Sequence, residues 1–137
     1  VLLYYFTSTK KRGDTMAWNL NSDRPIFIQI VERIEMDIIS GKYKPGDKLP
    51  SVRDLAAEAA VNPNTMQKAF TELERTGLVF SQRTTGRFIT EDTSMIDELK
   101  STLAKDKITE LLSFMQQLGF QENEILAMIG QTMKGEK

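Results

Sequence analysis

Apolar residues recur every four positions at Ile26, Ile30, Ile34 and Ile38, with Phe27, Val31 and Ile39 beside them. That spacing lines one face of a helix and predicts a first helix over about 25–40. Gly41 stands where a helix C′ residue would, and Lys44-Pro45-Gly46-Asp47 is strong turn chemistry, so the helix stops there. A short extended piece around Lys48-Leu49-Pro50 follows. Ser51-Val52-Arg53-Asp54 reads as an N-cap with an acidic residue three positions on, and Val52, Leu55, Ala56 and Ala59 give the apolar face of a short second helix. Asn62 can cap a third helix that opens on Pro63, where the missing N–H is harmless. Met66, Ala69, Phe70 and Leu73 fall at i, i+3, i+4 and i+7, so they face the core, while Asn64, Lys68, Thr71 and Arg75 lie opposite.

Gly77 ends this helix. Leu78–Gln82 and Arg87–Thr90 are two short β-like runs around Arg83-Thr84-Thr85-Gly86, a hairpin signature with Gly86 at a positive-φ position. From Thr93 the pattern changes. Ile96, Leu99, Leu103, Ile108, Leu111, Leu112, Met115 and Leu118 recur mostly every three or four residues, which predicts a long helix over about 94–118. Gly119 closes it, and Ile125, Met128, Ile129 and Met133 form a second, shorter stripe. Two such helices cannot enclose a core alone, so dimerisation is the economical way to bury them. Ile96, Leu99, Leu103, Ile108, Leu111, Met115, Ile125 and Ile129 are the expected dimer contacts.

Composition narrows the chemistry. The 137 residues are 40% hydrophobic and 27% charged, the balance of one or two ordinary globular domains. A net charge of −1 excludes a polycation that coats nucleic acid or membrane through bulk charge, so any anion binding is local. The chain has no cysteine and no histidine, which removes disulfides, thiolate nucleophiles, His-based triads, zinc fingers and His-bearing metal sites. Asp97, Glu98, Glu110, Glu122 and Glu124 read as solvated faces rather than a cation site, and neither a metal nor a cofactor is expected. An enzyme lacks its parts here: no nucleophile–base pair and no glycine-rich phosphate loop.

The most apolar run, Val1–Phe6, is six residues long, far short of a membrane span. Its basic residues, Lys10-Lys11-Arg12, follow it, the reverse of a secretory signal, so a cytoplasmic protein is expected. Residues 1–15 read as a weakly packed N-terminal extension, 16–92 as one domain and 93–137 as a two-helix dimerisation tail.

Two helices joined by a tight turn and followed by a hairpin make a winged helix-turn-helix, in which the second helix of the pair enters the DNA major groove. The predicted architecture is therefore mainly α with a small β-hairpin wing, followed by a C-terminal helical dimerisation hairpin. Helix 63–76 presents Asn64, Thr65, Gln67 and Lys68, groups able to bond bases or phosphates, with a positive dipole end for phosphate. From Pro63 to Thr90 four basic residues stand against two acidic ones. A winged helix serving as a protein-interaction module, or binding DNA without operator specificity, is the competing reading. An interaction module would present an apolar or acidic outer face, whereas this one is polar, with Lys68 and Arg75 against Glu72 and Glu74, and the wing adds Arg83 and Arg87 to make the surface net positive.

Over roughly Pro25–Thr90 the chain resembles the GntR family of bacterial transcription regulators. The residues that carry the resemblance are Ile39-x-Gly41, Leu49-Pro50-Ser51-x-Arg53-x-Leu55-Ala56, Val61-Asn62-Pro63-Asn64-Thr65, Ala69-x3-Leu73-x3-Gly77-Leu78 and Gly86-x-Phe88-Ile89. The Asn-Pro-Asn-Thr turn and short two-helix tail are similar to the YtrA subfamily, which implies a dimeric repressor, often of transporter genes. The resemblance implies DNA contacts at Arg53, at Asn64, Thr65 and Gln67 on the recognition helix, and at the wing tip, Gly86, which approaches the minor groove; Ser51 is read first as a cap that can also hold a phosphate at its helix N-terminus. Where family members carry a basic residue this chain has Pro63, where they carry Arg it has Gln67, and their Gly-x-Gly wing appears as Thr84-Thr85-Gly86. Lys68, Arg83 and Arg87 are expected to supply the missing charge. About 44 residues follow Thr93, too few to enclose a drug-sized pocket in one chain. A small-molecule effector would therefore bind between subunits or domains and act on the spacing of the two DNA-reading heads.

Overall fold

The computed structural model describes residues 18–135; the expectation for residues 1–15 lies outside them. Five helices and one antiparallel hairpin occupy the described chain: α1 (Ile26–Ile39), α2 (Val52–Ala59), α3 (Pro63–Thr76), β1 (Val79–Gln82), β2 (Gly86–Ile89), α4 (Thr93–Gln117) and α5 (Glu122–Met133). The chain divides into two compact units at Ile96/Asp97, inside the first turns of α4.

In the first unit α3 packs on α1, on α2 and on β1. The four-residue stripe of α1 sends Ile30, Ile34 and Ile38 into the core, and α3 answers with Met66, Ala69, Phe70 and Leu73, all fully buried. The helix ends are set locally. The Ser51 hydroxyl accepts the Asp54 N–H at 3.0 Å, and the Asn62 side chain accepts the Asn64 N–H at 2.7 Å. Gly77 ends α3 with φ +89°, its N–H donating to the Glu74 carbonyl at 3.1 Å, and a Cβ there would stand 3.3 Å from the Met95 methyl.

The wing pairs Val79 with Ile89, Phe80 with Phe88, Ser81 with Arg87 and Gln82 with Gly86. Val79 and Ile89 point inward and are buried, while Phe80 and Phe88 stack on the outer face with ring centroids 5.9 Å apart. A third piece of chain joins them. Lys48 bridges Phe88, Leu49 N–H donates to the Arg87 carbonyl at 2.8 Å and Ile89 N–H to the Asp47 carbonyl at 2.8 Å. The extended stretch read around Lys48-Leu49-Pro50 is thus a short edge of the wing.

In the second unit, Gln121 and Glu124 form a reciprocal capping box that starts α5, with Gln121 N–H on the Glu124 carboxylate at 2.8 Å. Met115 and Ile125 are buried in the single chain. Ile108, Leu111, Leu112, Phe114, Leu118, Leu126, Met128 and Met133 are exposed. No described helix is long and apolar enough to cross a membrane.

Candidate nucleic-acid interface

With its apolar stripe committed to the core, α3 turns Asn64, Gln67, Lys68, Thr71 and Arg75 outward, all exposed. Asn64 keeps its side chain free of the capping bond, which uses only its N–H. Gln67 is loosely held: its Nε2 lies 3.4 Å from Thr71 Oγ1, which itself donates to the Gln67 carbonyl at 3.0 Å. Thr65 differs from its neighbours. It is half-buried and lines a cavity of about 380 Å³ with Trp18, Leu20, Ile26 and the Ala59–Asn62 turn. The Trp18 wall of that cavity is fixed by an indole N–H bond to Glu58 at 3.0 Å and by the Arg33 guanidinium 4.6 Å above the ring. Nothing in the apolar periodicity singles this cavity out, because it joins residues some forty positions apart.

The charged residues sort into engaged and open. Arg75 grips Glu72 through Nε at 3.0 Å and Nη2 at 2.6 Å, a pair that holds the Glu72 carboxyl below its usual range. Arg87 sits against α3, with Nε 3.4 Å from Glu74 and the guanidinium 5.2 Å from the Phe70 ring. Glu74 also receives the Ser81 hydroxyl. Arg87 therefore ties the wing to α3 instead of standing out from the hairpin tip. Lys68 lies over the Phe27 ring of α1 at 4.2 Å, with its ammonium still at the surface. Arg53 and Arg83 are exposed and have no ion pair among the described residues.

Helix ends differ from expectation. At the start of α3, Pro63 has no N–H, the Asn64 N–H is taken by Asn62 Oδ1, and Thr65 N–H donates to the Asn62 carbonyl at 2.9 Å. Its dipole end is therefore closed off by its own cap. At the start of α2 the Ser51 hydroxyl closes only the Asp54 N–H, and the Val52 and Arg53 N–H groups have no hydrogen bond among the described residues. Those two donors stand beside the Arg53 side chain, next to Ser51. At the wing, Thr84 takes φ +68° and Gly86 φ +118°, closing the three-residue loop 83–85.

A polar recognition helix braced by two core helices and flanked by a hairpin with an open cation, Arg83, defines a winged helix-turn-helix DNA-binding domain. Residues 28–89 match the family of bacterial regulatory proteins called gntR. The HTH-type transcriptional regulator YhcF of Bacillus subtilis is 40% identical over 105 residues, 77% of this chain and 87% of that protein. The HTH-type transcriptional repressor YtrA of the same organism is 41% identical over 97 residues, 71% of this chain and 70% of that one. A solved GntR family transcriptional regulator from Listeria monocytogenes superposes with a TM-score of 0.77 at 39% identity, covering 82% of this chain and 98% of that one. The chain belongs to the gntR family of bacterial DNA-binding transcription regulators, which is not an enzyme class.

Proposed function

We propose that the chain acts in the cytoplasm as a homodimeric repressor, setting two copies of α3 into successive major grooves of a palindromic operator about 34 Å apart. The apolar surface of the second unit carries this reading. Phe114, Leu118, Leu126 and Met133 are exposed on two successive helices and the turn between them, a concentration of large apolar groups that a second copy would cover. Repression, and transporter genes as the target, follow the likeness to the YtrA subfamily, whose namesake is a transcriptional repressor.

In this reading Asn64 and Gln67 meet base edges, with Thr65 placed at the side of the groove, and amides of this kind suit adenine. Arg53, Lys68 and Arg83 hold phosphates, Ser51 and the open N–H groups of α2 assist, Gly86 lets the wing tip approach, and Arg87 sets the wing against α3. Selection of bound duplexes from a random pool, with stoichiometry read by light scattering, tests the proposal. The expected result is an enriched palindrome carrying two chains. One chain on an asymmetric site overturns the dimer, and salt-sensitive binding with no enriched sequence makes the protein architectural instead.

A further inference from the structure

The wing tip needs positive charge near the phosphates it approaches, and the residues nearest in sequence do not all supply it. Arg87 is held by Glu74 and Phe70, and Arg75 by Glu72. A different cation reaches the tip from forty residues upstream. Lys48 pairs with Phe88 on the free side of β2, and strand alternation decides which way it faces. Leu49 is buried, so Lys48 is turned to the outer surface and is exposed. From there the side chain leans along β2 toward the loop: its Cε lies 2.9 Å, and its Nζ 3.7 Å, from the position a Cβ would occupy on Gly86. The glycine thus leaves room for the lysine stem to cross the hairpin at its closing residue. Among the described residues the ammonium has no ion pair, hydrogen bond or ring contact.

We propose that Lys48 is a DNA-phosphate contact of the wing, forming with Arg83 a two-cation tip in which Gly86 is the gap that lets the lysine through. The inference rests on the DNA-binding reading and deepens it. Two cations, one in the three-residue loop and one beside its closing glycine, suit the phosphates at a groove edge, and a phosphate contact carries no sequence information. Its loss therefore weakens binding to every duplex alike.

The test uses the full chain and a mixed-sequence 30-base-pair duplex, with affinity followed from about 50 to 200 mM salt. Lys48→Gln keeps the stem and removes the charge, and Lys48→Arg restores it. The expected result for Lys48→Gln is a several-fold loss at low salt and a log–log salt slope shallower by about 0.9, the increment for one phosphate. Lys48→Arg is expected to keep the wild-type slope, and both variants the wild-type thermal midpoint. A Lys48→Gln protein with unchanged affinity and slope overturns the proposal, as does lost affinity with an unchanged slope and a lowered midpoint, the signature of a purely structural lysine. A wild-type protein that retains no duplex at any salt overturns the DNA-binding reading and this inference together.

Discussion

Glu35 sits half-buried on α1, with Glu32 one turn before it and Glu72 of α3 close enough to repel it. Burial first, and then those two carboxylates, push its pKa from 4.5 up to about 7. A carboxyl whose folded value is raised resists ionisation in the folded state, so its contribution favours folding below the unfolded value and is lost as pH climbs through about 7. The winged domain is therefore expected to lose stability between pH 5 and pH 8. Glu35→Gln is expected to flatten that profile, raising stability at pH 8 by about 1 kcal/mol once solvent reaching a partly exposed carboxyl is allowed for, with little change at pH 5. Denaturant melts of both proteins at the two pH values check this, and parallel profiles would show that Glu35 is not the titrating group. Such a residue is illegible in the chain, since the burial that chiefly raises its pKa, and the approach of Glu72 that adds to it, arise only when α1 packs on α3.

At the scale of single elements, α2 offers a separation of stability from binding. Ser51→Ala removes the oxygen that receives the Asp54 N–H and is expected to cost about 1 kcal/mol. Ser51→Asp keeps a capping acceptor while placing a negative charge where a phosphate is expected, so its midpoint is expected to stay near wild type while duplex binding falls at least tenfold. Equal binding by wild type and Ser51→Asp would confine Ser51 to capping. Within α3, Phe70→Ala empties a fully buried site and is expected to cost about 3–5 kcal/mol in a urea melt.

These elements were legible because their signals are local. Ser51 to Asp54, Asn62 to Asn64, and the Met66–Leu73 stripe all act within a turn or two of chain, and each helix falls within a residue or so of its expected bounds. The third edge of the wing was not legible. Lys48-Leu49-Pro50 announces extended backbone, but Phe88, with which Lys48 pairs, lies beyond two helices and the first strand of the hairpin. The setting of Arg87 was not legible for the same reason: its place on β2 is local, whereas Glu74 and Phe70, which draw it onto α3, belong to another element.

On the scale of the whole molecule, the apolar residues of the tail divide into those that pack within the chain and those left for a second copy to cover. A helical period marks an apolar stripe but cannot say what covers it, and here the stripe is wide. Met115 and Ile125, expected at the partner face, are buried already within the single chain. Ile96, Leu99, Leu103 and Ile129 are half-buried, Ile108 and Leu111 are exposed, and Phe114, Leu118 and Leu126, absent from the expected set, are among the most exposed apolar groups. The distinction is testable with two charged substitutions one residue apart. Phe114→Glu places its carboxylate at an exposed position and is expected to leave each chain folded while shifting light scattering from dimer to monomer, with palindrome affinity falling toward that of one half-site. Met115→Glu buries an unpaired carboxylate and is expected to unfold the tail, which circular dichroism would register as lost helix. A folded, fully dimeric Phe114→Glu protein would remove this face from the interface and leave the operator-spacing argument without its support.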